Sequence, residues 1–279
     1  MKCTFSLFWT PDLILRHNLK KQRIMDKDLT FLRYADPEDL RILTDYITMN
    51  RKGNPRFNER LTTTPEYARY YPDGLNNMVD SIVEEFQYYG GNTVLNFMRG
   101  RGAGYREILC DVCHRMRVNF NRKSSVEVIE MNLLHSILIK SLEDMDTESL
   151  KELLDGLNIK TTNFKKEAMV AALQMAIRRG GFASYKIALI VANAIARALL
   201  GRGLSLAANA ALVRWLSVFA GPVGWAITAA WTAFDIAGPA YRVTIPAVIQ
   251  IAYMRAKRDV KGLLTDDTEK GDNDKTSYE

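Results

Sequence analysis

The stretch Val126–Leu142, VEVIEMNLLHSILIKSL, contains the pattern that decides the fold class. Its apolar residues recur three and four positions apart for about five turns, which is the spacing of one face of an α-helix. Ser124 and Glu127 stand at the spacing of a capping box, so the helix is predicted to begin there. A helix with one apolar face needs other apolar surfaces to pack against, so we predict that it belongs to a bundle.

Helix start and stop signals recur on both sides of this stretch. Capping residues, proline in the first turn and early acidic side chains mark the starts, and glycines mark most of the ends. No segment alternates apolar and polar residues as a half-buried strand does, so the sequence predicts an all-α fold. The predicted helices are one from Asp36-Pro37 to about residue 49, a short one from Thr64-Pro65, and others over residues 74–89, 92–98, 105–116, 147–156 and 163–179.

The C-terminal third has a different character, because charged residues become sparse from residue 181 to 254. Residues 215–234, WLSVFAGPVGWAITAAWTAF, contain no charge, and the run has the length of a membrane span. Gly and Pro near its start favour a bend between two shorter helices, as in a buried hairpin, and both interpretations stay open. The candidate membrane or hairpin residues are Trp215, Gly221, Pro222, Gly224, Trp225, Trp231, Asp235 and Arg242.

Asp235 and Arg242 flank Gly238-Pro239 and would pair if a helix continued through that point. An ionisable group beside lipid is a functional candidate. The alternative is a salt bridge that fixes one helix against another inside a bundle.

These changes of composition divide the chain into five predicted parts. The N-terminal 24 residues differ in composition from the rest of the chain and are interpreted as an extension from an upstream start, with Met25 opening the patterned region. The parts are the extension 1–24, a short helical domain 25–60, a helical bundle 61–180, a hydrophobic Gly/Ala-rich helical region with a hairpin 181–258, and a charged disordered tail 259–279.

The charge of +6 at pH 7 is unevenly distributed, because the acidic tail contributes −4 and the rest of the chain +10. A basic body attracts nucleic acid or an anionic membrane, although many proteins with such a charge bind neither. Three cysteines provide no disulfide framework and indicate a reducing compartment. With no signal peptide recognised at the N-terminus, we expect a cytoplasmic protein, peripheral or integral at the inner membrane if it meets lipid.

Cys110-Asp111-Val112-Cys113-His114 matches the C-x-x-C-H pattern of covalent haem attachment. We reject that interpretation, because such attachment belongs to exported proteins and this motif lies inside a predicted amphipathic helix. Two cysteines one turn apart also fall short of the four ligands of a structural zinc site. The pair is therefore predicted to be small core side chains, and no metal or cofactor is expected.

The loop before the helix at Tyr105 is glycine-rich and basic. Backbone N–H groups at such a loop-to-helix junction bind anions, and nearby arginines add charge. The loop lacks the Lys-Ser/Thr of a P-loop and a preceding strand, so a plain interhelical loop is favoured over a nucleotide site. A phosphate headgroup or a nucleic-acid backbone is a slightly better ligand than a nucleotide. The candidate anion-binding residues are Arg99, Gly100, Arg101, Gly102, Gly104 and Arg106.

Three strings resemble the uncharacterised bacterial YaaW family: DKDLTFLRYADPEDLRILTDYI, GGNTVLNFMRGRGAGYREILCDVCHRM and AGPAYRVTIPAVIQIAYMR. The resemblance spans about Met25 to Arg258 and is most specific at Tyr241–Val248. It implies a short N-terminal domain of unknown function, followed by a helical region grouped with ubiquinol-cytochrome c chaperones. The family has no established activity, so the resemblance supports Met25 as the start and supplies no catalytic residues.

Three functional hypotheses arise from these observations. The preferred hypothesis is a non-enzymatic protein whose C-terminal part contacts a membrane or a hydrophobic partner, with the basic cluster from Arg255 to Lys261 facing anionic headgroups. The second is a soluble chaperone or assembly factor that holds a client protein. The third is nucleic-acid or phosphate binding through residues 99–106. The three histidines form no triad or metal motif, which disfavours an enzyme.

Overall fold

The structure is a computed structural model that describes residues 25–50, 52–56, 59–90, 102–143, 145–156, 158–179, 182–200 and 240–273. Within these ranges the chain is helical, apart from loops and one isolated antiparallel bridge between Met49 and Pro55. The α-helices are α1 (Pro37–Thr48), α2 (Pro65–Tyr70), α3 (Val79–Gly90), α4 (Tyr105–Arg115), α5 (Val126–Glu143), α6 (Thr147–Gly156), α7 (Lys166–Arg179), α8 (Phe182–Leu200) and α9 (Tyr241–Asn273). The all-α prediction is confirmed.

The C-terminal helix α9 is the centre of the bundle. Helices α1, α3, α4, α5 and α8 all pack against it. Every residue from Val243 to Arg255 is buried, which explains why this stretch has almost no charge. Pro246 lies inside the helix, where its ring removes one backbone hydrogen bond. Packing on all sides supports α9 through this point. Tyr241–Val248, the most specific part of the family resemblance, therefore lies largely in the core.

Helix α5 follows the predicted pattern of one apolar face. Its buried apolar positions recur three and four residues apart, from Val126 through Ile129 and Leu133 to Leu142. Helices α4, α7, α8 and α9 pack around it, so several residues of the opposite face are half-buried. The helix therefore occupies an inner position in the bundle.

A 3₁₀ helix, Lys27–Tyr34, precedes α1 and closes one side of the core with the fully buried Leu29 and Leu32. Asp26 caps it by accepting a hydrogen bond from the Asp28 backbone N–H at 3.0 Å. The segment is held to α3 by Arg33, whose guanidinium lies 2.7 Å from the Asp80 carboxylate.

Several boundaries differ from those predicted. The helix predicted over residues 74–89 begins as a 3₁₀ helix, Leu75–Met78, before α3. Helix α7 begins at Lys166, because the Asn163 side chain accepts a hydrogen bond from the Lys165 backbone N–H at 3.0 Å and forms a turn before the helix. Helix α9 continues to Asn273, although a disordered tail was predicted from residue 259. Residues 259–270 contain no proline to interrupt the helix, although Gly262 is a poor helix former.

The hydrophobic C-terminal region contributes to the same core as the bundle. Residues 188–196 of α8 and 243–254 of α9 are buried and pack against each other. No helix in the described part of the chain is both long and apolar enough to cross a membrane. The predicted extension 1–24, the short helix at 92–98 and the uncharged run 215–234 lie outside the described residues.

Candidate functional site

An apolar groove lies between α5 and α7 and has a volume of about 340 Å³. Ile139 and Leu142 of α5 form one wall, and Val170 and Ala171 of α7 form the other. Lys166, Glu167 and Gln174 supply polar groups along α7. Apolar walls with a few polar groups are the usual composition of a site that binds an apolar ligand or side chain.

Two exposed apolar side chains lie close in sequence to residues that line the groove. Phe164 precedes the groove residue Lys166 by two positions, and Met175 directly follows Gln174; their exposed fractions are 55% and 58%. Ala171 and Met175 are one turn apart on α7, so they share a face. Large exposed apolar side chains beside a groove are typical of a protein interaction surface.

A buried cluster of ionisable side chains joins α4, α5 and α9. Tyr105 donates a hydrogen bond to the Glu130 carboxylate at 2.5 Å, and Arg255 donates to the other oxygen of the same carboxylate at 2.8 Å. Arg255 also donates to the Asp28 carbonyl at 2.6 Å and stacks 4.4 Å from the centre of the Phe31 ring. The cluster therefore ties the N-terminal 3₁₀ helix to the core.

The environment changes the acidity of each member of this cluster. Burial raises the pKa of Glu130 to about 7, although Arg255 and the Tyr105 hydroxyl act in the opposite direction. Burial also raises the pKa of Tyr105 well above its ordinary value. For Arg255, burial lowers the pKa, but Glu130, Tyr105 and Glu127 together outweigh this effect and the net shift is upward. No more than 5% of any of the three is exposed, so a substrate has no access and the cluster is structural.

Sequence analysis missed this cluster. Its members are separated by 25 and 125 positions, so no local motif joins them. One signal was available: Glu130 falls among the apolar positions of α5, next to Ile129 and one turn before Leu133 and Leu134. A carboxylate on a buried face needs a partner, because an unpaired buried charge is strongly destabilising.

A second ionic contact joins α9 to α1. The Lys257 ammonium lies 2.7 Å from the Asp39 carboxylate and also contacts that of Asp36. Burial lowers the pKa of Lys257, but the two carboxylates outweigh it and the net shift is upward. Asp36 stands at the predicted N-cap of α1, yet its side chain binds Lys257 instead of capping the helix.

The predicted role of the Arg255–Lys261 cluster is therefore wrong for two of its members. Arg255 and Lys257 turn inward to the protein's own carboxylates, so they are not free to meet anionic headgroups. Cations on α9 were assigned to the surface because charged residues usually lie there. Arg255 and Lys257 are buried instead, because their carboxylate partners lie on distant elements that the sequence does not reveal.

The predicted anion loop is described only from Gly102 onward; Arg99, Gly100 and Arg101 lie outside the described residues. At its end, the N-terminus of α4 is already occupied by a carboxylate of the protein, because Asp26 accepts a hydrogen bond from the Tyr105 backbone N–H at 2.7 Å. Arg106 donates to the carbonyls of Arg122 and Ser124 at 3.2 and 2.7 Å.

Gly102 and Gly104 differ in what surrounds them. A Cβ atom on Gly102 would lie 2.5 Å from the carbonyl carbon of Gln87, whereas one on Gly104 would meet nothing closer than the Asp26 carboxylate at 3.7 Å. Close packing against α3 is thus a sufficient reason for glycine at position 102.

The prediction that Cys110 and Cys113 are core side chains is confirmed, because both thiols are free and buried. Burial raises the pKa of Cys113 to about 12, which keeps it protonated. His114 makes an edge-to-face contact with Phe120 at 5.0 Å between ring centres. In the part of the chain that is described, no group of three His, Cys, Asp or Glu residues has the arrangement of a metal site.

Of the candidate hairpin residues, only Arg242 is described, and it is exposed at the start of α9. Trp215, Gly221, Pro222, Gly224, Trp225, Trp231 and Asp235 lie outside the described residues. The predicted Asp235–Arg242 pair therefore stays a prediction.

Comparison with protein families gives two matches. A model described as ubiquinol-cytochrome C chaperone matches residues 76–249, and a domain of unknown function, DUF3944, matches residues 24–57. The chaperone match covers α3 to α8 and the first half of the buried part of α9. The second match covers the 3₁₀ helix and α1. A hydrogen bond from Arg255 to the Asp28 carbonyl joins the 3₁₀ helix to α9, and the Lys257–Asp39 ion pair joins α1 to α9.

Similar proteins come from two bacterial species. A UPF0174 protein of Helicobacter pylori strain J99 is 50% identical over 233 residues, which cover 83% of this chain and 92% of the relative. A second UPF0174 protein, from H. pylori strain 26695, is 41% identical over 73% of this chain and 100% of its own length. The UPF0174 protein YaaW of Escherichia coli K12 is 30% identical over 82% of this chain and 94% of its own length. No solved structure matches this chain.

Proposed function

The chain belongs to the UPF0174 family and, over more than half of its length, to the family described as ubiquinol-cytochrome C chaperone, and we propose a function that follows from this membership. The protein is a non-enzymatic assembly factor. In this proposal the groove between α5 and α7 holds an apolar segment of a client protein. The observation that carries the proposal is the apolar groove itself, with Phe164 and Met175 exposed beside it. Burying two such side chains on a partner supplies a few kcal/mol of binding free energy, as roughly 1.5–3 kcal/mol is typical for each.

The contrast between the groove and the buried cluster supports a binding role. Perturbed acids and bases are typical of active sites, but here Glu130 and Tyr105 are sealed inside the core. The accessible apolar groups, Phe164 just before α7 and Met175 on it, are instead at the surface, where they offer contact area and no nucleophile. Three polar groups along one wall, including Lys166 and Glu167, would orient a bound segment.

The proposal places the protein in the cytoplasm. Cys110 and Cys113 are free thiols one helical turn apart, which fits a reducing compartment. A client held there would be a newly made or partly assembled protein with an apolar segment still exposed. Nucleic-acid or phosphate binding through residues 99–106 is a weaker alternative, because Asp26 already occupies the adjoining helix N-terminus.

Suppression of aggregation tests the proposal. A thermally unfolding model client, citrate synthase, is monitored by light scattering with increasing amounts of the purified chain. Met175→Lys and Ala171→Glu introduce charges at exposed positions on one face of α7, so both variants should remain folded. We expect each to need at least five times more protein for the same protection.

Val128→Lys is the matched control, because Val128 is another exposed apolar residue, 48% exposed, on α5 and more than two turns from the groove residues. It should protect the client as well as the wild type does. Equal protection by all four proteins, or no protection by the wild type, would reject the groove as a client site. Urea unfolding of each variant verifies that the fold is intact.

A further inference from the structure

An arginine on the loop after α1 is half-buried without a partner for its guanidinium. Arg56 follows the Met49–Pro55 bridge, and its backbone N–H donates to the Thr48 carbonyl at 2.8 Å, which fixes the backbone against α1. The Nε atom of its side chain is buried, and in the described part of the chain it has no hydrogen-bond partner. A buried donor that lacks an acceptor costs free energy, so its presence on a charged side chain calls for a ligand or another cause.

A second donor without an acceptor lies close to this arginine. The Tyr89 hydroxyl, near the end of α3, is buried and has no hydrogen-bond partner within the described ranges. Tyr89 and Arg56 each change the pKa of the other, so the two side chains are neighbours. Helix α9 packs against α3, and Arg242, exposed in the first turn of α9, also acts on Arg56. Three side chains that donate hydrogen bonds therefore come together from three separate elements.

The positive charge at this point is not balanced as it is elsewhere in the protein. Burial lowers the pKa of Arg56, Tyr89 raises it and Arg242 lowers it, with a net downward shift. Arg255, whose buried guanidinium is paired with Glu130, shows the opposite net shift. Arg242 also stands in the first turn of α9, where the helix dipole is itself positive and disfavours a cation. Two arginines and a helix N-terminus thus give this region a positive potential that favours an anion.

Two described carboxylates near Tyr89 are bound to other groups. Burial raises the pKa of Tyr89 to about 12, and the carboxylates of Glu85 and Glu59 raise it further. Glu85 accepts a hydrogen bond from the Arg60 backbone N–H at 3.1 Å, and Glu59 accepts one from the Thr62 backbone N–H at 2.9 Å. Neither carboxylate is thus the acceptor that the orphaned guanidinium lacks.

We propose that Arg56, Tyr89 and Arg242 bind a phosphate group, either inorganic phosphate or a small phosphate monoester. A guanidinium donates several N–H bonds in a planar arrangement that matches phosphate oxygens, and a tyrosine hydroxyl donates one more. A phosphate monoester carries about 1.5–2 negative charges near neutral pH and three acceptor oxygens, which match two arginines and three donor side chains. A carboxylate carries one charge and would leave one arginine uncompensated. The site involves other helices than the α5–α7 groove, so this inference is independent of client binding.

Calorimetric titration and urea denaturation of the full chain test the proposal. The probes are inorganic phosphate, glycerol phosphate and acetate, with sodium chloride keeping the ionic strength constant. We expect both phosphate compounds to bind and to raise the urea midpoint as their concentration increases, because a ligand of the folded state stabilises it. Tighter binding of glycerol phosphate would identify a monoester as the ligand, and tighter binding of inorganic phosphate the free ion. Acetate should bind at least tenfold more weakly than either.

Arg56→Gln separates binding from folding. No described carboxylate compensates the charge of Arg56, so its removal should leave stability in chloride unchanged or higher, while the dissociation constant for phosphate rises roughly tenfold or more. Arg242→Gln, at an exposed position, should weaken phosphate binding in the same direction and tests the site even where the first variant fails to fold. Lys52→Gln is the matched control, because Lys52 is an exposed cation in the same loop, and it should bind phosphate as the wild type does.

Four results would overturn the proposal. They are no binding of phosphate by the wild type, equal binding of acetate, equal weakening by the Lys52 variant, and wild-type affinity of both arginine variants. Lower stability of Arg56→Gln in chloride, with its affinity for phosphate unchanged, would show that the guanidinium has a structural role instead.

Discussion

Replacing Gly102 by alanine should destabilise the protein, although the change adds only one methyl group. The new Cβ would lie 2.5 and 2.6 Å from the carbonyl carbon and oxygen of Gln87, well inside contact distance, and both are backbone atoms of α3. Either α3 or the loop must move. Such overpacking costs typically about 1–3 kcal/mol.

The movement would also disturb two hydrogen bonds. The Ala103 backbone N–H donates to the Gln87 carbonyl at 3.2 Å, and the Gln87 side chain donates to Asp26 at 3.1 Å. Losing one of them adds about 1 kcal/mol, so the expected loss of unfolding free energy is about 2–4 kcal/mol. Urea denaturation should show it as a midpoint lowered by about 1 M.

Gly104→Ala is the matched control in the same loop. Its Cβ would meet no atom closer than 3.7 Å, and the backbone there has φ of −66°, which alanine adopts readily. The control should stay within about 0.5 kcal/mol of the wild type. Wild-type stability of Gly102→Ala would refute the packing explanation. Loss of phosphate binding by both variants, with stability unchanged, would instead restore the anion site.

Further predictions concern the buried core. Arg255→Met should lower the unfolding free energy by about 3–5 kcal/mol, because it leaves the buried Glu130 carboxylate without its partner. The double variant Glu130→Leu/Arg255→Met should recover most of this loss. Equal losses of unfolding free energy by the single and double variants in urea denaturation would contradict this explanation. Because the pKa of Glu130 in the fold is about 7, above the ordinary 4.5, the folded chain holds a proton that the unfolded chain releases. Stability should therefore fall as pH rises from 4.5 to 7, and Glu130→Gln should lack this fall in denaturation at several pH values. Cys110 and Cys113 should resist a thiol-specific reagent in the native protein and react readily in urea; fast labelling in buffer would show that the pair is not buried.

Helix positions could be predicted from the sequence because their signals are local. Pro37 and Pro65 mark the first residues of α1 and α2, and the spacing within Val126–Leu142 identifies the buried face of α5. Caps, prolines and periodicity act within one or two turns, so the neighbours that matter are adjacent in the sequence. The helical class and most boundaries are predictable from such signals.

Side-chain partners could not be predicted in the same way. Asp26 caps α4 from 79 positions away, and Arg255 pairs with Glu130 across 125 positions. Packing of the N-terminal 3₁₀ helix against α4 brings Asp26 to Tyr105, and packing of α9 against α5 brings Arg255 to Glu130. The α5–α7 groove was missed for the same reason, since the apolar side chains of one wall, Ile139 and Leu142, resemble core residues until the spacing of α7 is known.

The central position of α9 has a consequence for synthesis of the chain. Translation proceeds from the N-terminus, so α1, α3, α4 and α5 emerge from the ribosome before the helix on which they pack has been made. The parts of their apolar faces that pack on α9 have no permanent partner until residue 255 is released, because Val243–Met254 fills the space between them. Completion of the native core is therefore expected to wait until α9 has left the ribosome. A premature stop before residue 240 should yield an aggregation-prone product that cellular proteases remove.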